Sequence, residues 1–371
     1  MHLELYESFT PELKRTWKKF EKLAFSTPFQ SYEWLFHWYS FVGEPFLSIK
    51  PQVILLWKGK TLLAIFPFGI SRSYGIKVLK WLGGYQADYM GPLLSRKWVD
   101  VDFKKVKDLM NTTISRYDVM HLEKQKQIIG NIKNPFLSNF PSYKNLDTYK
   151  VRLEESWELH SNKKVKKKIR LDSLRQYRRL SKIGKIKFMI AQDSHDKKII
   201  IESMISQKSR RYKEIGAWNM FKIPEYQNLY MGLIDISENQ FNLHCSALLV
   251  GDKIVATHVG IYNNEVFYYL MPSYESGGWE KYSPGRLLLE RLLEWSINNK
   301  LKWFDFTCGG EEYKKNWCDI KSELYETFKA KSAFGILYLS IRSKINHLKN
   351  LYIYLKILFQ KRKGSGKKKK K

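Results

Sequence analysis

The densest run of chemically capable residues lies between Ile254 and Trp317. Ser283-Pro284-Gly285-Arg286 opens the apolar-periodic stretch RLLLERLLEWSI there. Serine at an N-cap and proline at the first helical position start a helix, and the adjacent glycine lets a ligand approach the backbone. The first turn of a helix presents N–H groups without partners at the positive end of its dipole, so this start suits an anion. His258 falls mid-strand upstream, and Asp305 falls in the strand-like KWFDFTCG downstream. Cys245, Cys308 and Cys318 form no Cys-x-x-Cys and have no histidine at ligand spacing. No metal is expected, and such sparse thiols fit a reducing compartment.

The elements that must position these residues are legible in outline. Residues 2–7 alternate as a strand, Thr10-Pro11 opens a helix to about Leu23, and Ser31 caps an aromatic helix over 31–42. PQVILLW and TLLAIFPFGI form a hairpin about Lys58-Gly59-Lys60, followed by a glycine-punctuated loop over 78–92, a helix near 100–116 and a strand over 117–124. After residue 145 the strand DTYKVRL leads into a basic block. Between Lys163 and Lys185 there are eleven Lys or Arg and one acidic residue, Asp172. Ile169, Leu171, Leu174, Tyr177 and Leu180 space there as one helical face, predicting a basic amphipathic helix that links two domains. A strand, a helix over 196–213, three strands with turns at Gly251-Asp252 and Asn263-Asn264, the Ser283 helix and a last strand follow.

Both halves therefore run strand, helices, antiparallel strands, helix, strand. The expected fold class is α/β (α+β): two tandem domains, 1–145 and 146–332, with mixed, mainly antiparallel sheets flanked by helices. Residues 333–371 read as a basic amphipathic helix with a polybasic tail. Phe334, Leu337, Ile341, Ile345, Leu348, Tyr352, Leu355 and Phe359 recur at helical steps, and KRKGSGKKKKK follows. Such a segment lies on anionic lipid. The chain has 65 Lys and Arg against 36 Asp and Glu, a formal charge of +29, so an anionic partner is expected. The polar start is no signal peptide and no apolar run is long enough to span a bilayer, so any membrane contact is expected to be peripheral.

IVATHVGIYNNEVFYYLMPSYESGGWEKYSPGRLLLERLLEW and DFTCGGEEYKKNW resemble the GNAT-superfamily group typified by the CelD/BcsL proteins of cellulose biosynthesis, which is related to the Fem-type aminoacyltransferases. FQSYEWLFHWYSF and DYMGPLL resemble that group's first domain. The Gln/Arg-x-x-Gly-x-Gly/Ala acetyl-CoA loop of other GNAT proteins is absent. The resemblance implies tandem GNAT-like domains, the first degenerate and the second catalytic, and transfer of an acyl group from acyl-CoA or acyl-carrier protein to an amine of a lipid base or amino sugar. It implies His258 as base, Asp305 and Tyr313 as further catalytic groups, and donor phosphates near Ser283, Pro284, Gly285 and Arg286. Lys208, Arg211, Tyr212, Trp218, Tyr268, Glu312 and Lys314 would line the acceptor site. The enzyme would work on the cytoplasmic face of the inner membrane, with anionic lipid as partner and acyl-carrier protein as a second candidate. Nucleic acid is not expected as partner, since no zinc pattern or RNA-binding signature is present. The alternatives are an aminoacyl-tRNA-dependent ligase of Fem type, or a non-catalytic membrane- or nucleic-acid-binding module.

Overall fold

The structure is a computed structural model that describes residues 1–99, 101–234, 236–238 and 241–342. Twelve strands form its central run: β1 (His2–Tyr6), β2 (Lys50–Lys58), β3 (Thr61–Ser73), β4 (Ile76–Trp81), β5 (Val119–Lys126), β6 (Ser142–Arg152), β7 (Ile186–Ile190), β8 (Phe241–Val250), β9 (Lys253–Tyr262), β10 (Val266–Tyr274), β11 (Trp303–Cys308) and β12 (Ile320–Ala330). The helices are α1 (Pro11–Glu21), α2 (Tyr32–Trp38), α3 (Phe103–Thr113), α4 (Pro135–Asn139), α5 (Trp157–Lys164), α6 (Lys167–Ser181), α7 (Ser194–Glu214), α8 (Pro224–Gly232) and α9 (Pro284–Asn298).

The strands form one mixed sheet, ordered β1-β2-β3-β4-β5-β12-β6-β11-β10-β9-β8-β7, with three short strands at its margins. Each half is an antiparallel ladder that ends in one parallel pair. In the first half Val78 and Leu79 of β4 face Val119 and Met120 of β5. In the second, Val266, Phe267 and Tyr268 of β10 face Trp303, Phe304 and Asp305 of β11. Duplication is therefore visible in the topology, but the two expected sheets are one.

The join is an exchange. β12, last in sequence, completes the first half by pairing with β5, while β6, from the middle of the chain, completes the second by pairing with β11. The two exchanged strands pair with each other from Ser142↔Thr327 to Lys150↔Ile320. The expected boundary at residue 145 falls inside β6. The basic helix, expected as a linker, instead packs along the second half as α6.

Local chemistry fixes the elements. Thr10 and Ser31 cap α1 and α2 through their hydroxyls, satisfying N–H groups the first turn leaves open. Asn263 Oδ1 accepts from the N–H groups of Glu265 and Val266 and closes the β9–β10 turn. Two apolar clusters cover the sheet. One gathers the first half with α7 and α8; the other packs the leucines of α9 on Phe267, Phe304 and Phe306.

Because β6 and β12 each lie between strands of the opposite half, fragments 1–155 and 156–371 should be insoluble or aggregated when expressed singly, and should copurify when coexpressed. A cooperative melt from fragment 1–155 alone would contradict the exchanged topology.

Candidate active site in the cleft between the halves

β10 and β11 stay paired only as far as Tyr268 and Asp305, and then part. A cleft of about 780 Å³ opens beside this point, between the two halves. Its floor and walls include Asp305, Tyr89, Lys126, Lys150, Gln30 and Thr148. Asp305 is 4% exposed. The Tyr89 hydroxyl, from the other half, approaches both carboxylate oxygens, at 2.8 and 2.9 Å. The Thr307 N–H donates to Oδ1 at 2.7 Å.

Burial raises the Asp305 carboxyl above its ordinary range, against the opposing pull of Lys126, Tyr89, Thr307 and Lys150. Tyr89 is pushed well up by burial and by the Asp305 charge. Desolvation lowers Lys126, whose ammonium lies 3.9 Å from the Tyr89 ring centroid. A carboxylate, a phenol and two ammonium groups so arranged take and return protons in a poorly hydrated place.

The first half holds Tyr89 in position. Gln30 Nε2 donates to the Tyr89 carbonyl at 2.6 Å, and Trp17 Nε1 donates to the Gln30 carbonyl at 3.1 Å. Lys124 Nζ ties the neighbouring loop through the carbonyls of Tyr85 and Ala87. Gly84, with φ of +56°, has no room for a β-carbon, which would lie 2.6 Å from the Trp38 ring. Thr307 adopts φ of +58°, a conformation that a β-branched residue avoids and that costs about 1–3 kcal/mol. Its N–H bond to Asp305 helps hold it there.

Of the expected catalytic trio, the cleft receives Asp305 alone. His258 lies on the opposite face of the sheet. Tyr268 shares a face with Asp305 and packs on Phe29 and Tyr89, whereas the next residue, Tyr269, points away and stacks on His258 at 4.6 Å. His258 is fully buried and neither ring nitrogen has a partner among the described residues. That burial, away from the cleft, corrects its assignment as base. Tyr313 stands 39% exposed on the turn after β11 and bonds to neither.

The other expected residues divide as well. Ser283 occupies the N-cap of α9, but in the left-handed conformation, and its side chain caps nothing. Pro284 opens α9, and Gly285 packs against the Tyr274 ring. Arg286 is held by Asp172 of α6, so it is not a free phosphate ligand. Lys208 lies on α7 within reach of the Glu311 and Lys314 charges after β11; desolvation lowers it to about 8, against the opposing charge of Glu311. Lys314 is 4% exposed and donates to the Cys308 carbonyl at 2.9 Å, with Glu311 as its ionic partner. Glu312, expected to line the site, faces solvent and pairs with Lys315. Arg211 likewise pairs with Glu214 on an exposed face. Tyr212 is near Lys208, and Trp218 meets the Tyr85 ring edge-on.

Tyr89, Lys126 and Lys150 were not singled out from sequence. The only local signal was the DYMGPLL segment, which carries Tyr89.

Residues 164–315 match the family model described as an acetyltransferase (GNAT) domain. These residues form an acyltransferase domain of GNAT type. Among solved structures, FemX is similar with a TM-score of 0.58 at 8% identity, over 88% of this chain and 97% of that one. L-PGS from Bacillus licheniformis is similar with a TM-score of 0.52 at 11% identity, over 93% and 99%. A conserved protein of unknown function from Bacteroides thetaiotaomicron has a TM-score of 0.50 at 11% identity, over 89% and 100%. No curated protein matches the chain in sequence. At these identities the likeness is one of fold, and it spans nearly the whole chain.

The buried histidines carry a pH signature. Desolvation drives His244 down to about 3 and His258 well below its ordinary range. The unfolded chain binds these protons near pH 6.5 and the native state does not. Native stability should therefore fall as pH drops from about 6.5 towards 3, by up to about 1.4 kcal/mol per pH unit for each histidine. Urea titrations at several pH values should show this slope, and His258→Phe should reduce it while keeping transferase activity. Loss of activity in a folded His258→Phe protein would reinstate His258 as a catalytic group.

Proposed function

We propose that the protein is an N-acyltransferase that moves an acyl group from a thioester donor to an amine seated in the cleft between the halves. The observation that carries this reading is Asp305, buried at the cleft floor where β10 and β11 part, and bonded to Tyr89 of the other half. The donor carbonyl would enter the opening between the two strands. Its phosphates would lie towards the first turn of α9, where Lys253, Lys281 and Arg179 gather over Trp279 and Tyr282.

The chemistry uses these residues economically. Asp305 takes a proton from the attacking amine, the nitrogen bonds to the thioester carbon, and the C–S bond breaks. An amide forms, and the proton leaves on the thiol. Lys126 and Lys150 supply positive charge for the tetrahedral oxyanion, a contribution that grows where water is excluded. The acceptor is the amine of a lipid base or an amino sugar, in keeping with the resemblance to the CelD/BcsL-like group.

The working place of the enzyme is the cytoplasmic face of the membrane. No helix among the described residues is long and apolar enough to cross a bilayer. The helix over 333–342 is bound to the first half through Ser332–Asp118 and Arg342–His121. It leaves Phe334, Leu337 and Ile341 at 70%, 59% and 49% exposure. This supports shallow insertion into lipid, with nearby Lys and Arg adding about 1 kcal/mol each on an anionic surface. The rest of the expected stripe, from Ile345 to Phe359, lies outside the described residues.

Asp305→Asn keeps the shape of the carboxylate and should lower kcat ~10²-fold or more, the usual scale for lost acid–base help, with little change in Tm. Wild-type turnover in this variant would sink the assignment. Separately, co-sedimentation with anionic vesicles should weaken at high salt and in Phe334→Ser/Leu337→Ser. Full-length protein that ignores anionic vesicles would remove the membrane from the account and favour a soluble acceptor.

A further inference from the structure

α6 buries only part of its apolar face, Ile169 and Leu180. Its buried positions are Ser173, Gln176 and Leu180, at 4%, 5% and 0% exposure. Leu171 and Leu174, which its periodicity assigns to the core, face solvent at 56% and 55%. Polar contacts hold this orientation: the Ser173 hydroxyl donates to Glu290 of α9 at 2.6 Å, and Asp172 pairs with Arg286.

Around the two leucines the surface is cationic. Lys167, Lys168, Arg178 and Lys182 are exposed, and none of their side chains has an ionic or hydrogen-bond partner among the described residues. Asp172 on the same helix is already neutralised by Arg175 and Arg286, and Glu294 on α9 by Arg291. A cavity of about 380 Å³ adjoins the stripe between α6 and α9, bordered by Leu174, Tyr177, Trp157 and Leu287. The far end of α6 reaches the segment before α9, where Arg179 donates to the Lys281 carbonyl and lies over the Tyr282 ring.

We propose that the outward face of α6 docks an acidic carrier protein that presents the acyl group as a thioester on a phosphopantetheine arm. The inference rests on the thioester reading above and names the form in which the donor arrives. An acidic helix complements the unpaired lysines and arginines, and its apolar residues cover Leu171 and Leu174. The cavity receives an anchoring side chain. The face adjoins the first turn of α9, so a docked carrier projects its arm towards the opening beside Asp305. Nucleic acid would use the charges but gain nothing from two exposed leucines. A bilayer is already met by Phe334, Leu337 and Ile341 on a helix attached to the other half.

The test is a binding measurement that needs no turnover. The acyl carrier protein of fatty acid synthesis, in holo form and bearing a stable hexadecyl thioether, is immobilised and exposed to the full-length enzyme by interferometry. Wild type and Asp305→Asn should bind equally, with affinity falling as salt rises. Lys167→Glu/Lys168→Glu and Leu171→Asp/Leu174→Asp should each weaken binding ~10-fold or more, the scale of an interface hot spot, while leaving the affinity for the corresponding acyl-CoA thioether unchanged. Carrier affinity indifferent to the leucine variant overturns the proposal. So does an RNA hairpin or an anionic vesicle that binds this face through the lysines with the leucine variant silent. If docking behaves as stated but Asp305→Asn turns over normally, the chemistry fails and the docking surface stands. The reverse outcome removes only the docking surface.

Discussion

The pairing of β6 with β12 is the constraint on which the other features depend. Each strand belongs by sequence to one half and by hydrogen bonding to the other, so the two sequence halves cannot be separated without breaking three adjacent ladders. The exchange sets β5 and β11 on either side of the same central pair. Lys126 on β5, Lys150 on β6 and Asp305 on β11 thereby reach a common cleft, although they are far apart in sequence. It also fixes the separation across which Tyr89 must reach to meet Asp305. A two-domain enzyme with a flexible joint would hold those groups less well than one continuous sheet does.

Burial then decides what each group does. Asp305 and His258 are both ionisable and both nearly or fully enclosed, yet their environments differ. Asp305 meets a phenol and a backbone N–H and lines the cleft between the halves. His258 lies among Tyr269, Phe267 and His244 with its nitrogens unpaired among the described residues, so desolvation keeps it neutral. The alternation of β10, with Tyr268 on one face and Tyr269 on the other, separates the two environments by a single residue.

That alternation also shows how far sequence reading reaches. Caps and turns are local, so Thr10, Ser31 and the Asn263 turn were readable, as was the order of strands and helices. Asp305 was found because it sits in a segment resembling known acyltransferases. Its partner Tyr89 lies 216 residues away, a pairing no local pattern encodes. His258 was misplaced because residue type indicates what a side chain can do, while the face of the strand determines whether anything can reach it. Ser283 has the right type for a cap, but the left-handed backbone at that position turns its hydroxyl away from the first turn. In α6, apolar spacing predicted one buried face, but only Ile169 and Leu180 of it pack on the core, while two polar bonds to α9 leave Leu171 and Leu174 in solvent.

The central claim is that acyl transfer occurs where β10 and β11 part, with the acceptor on the Asp305 side. The most direct measurement is a crystal structure with a non-hydrolysable acyl-CoA thioether bound. The account predicts the sulfur beside Tyr268 where β10 and β11 part, the acyl carbon facing Asp305, and the phosphates at the first turn of α9. Density for the cofactor in the opening between β4 and β5, or on the surface away from both parallel pairs, would contradict it.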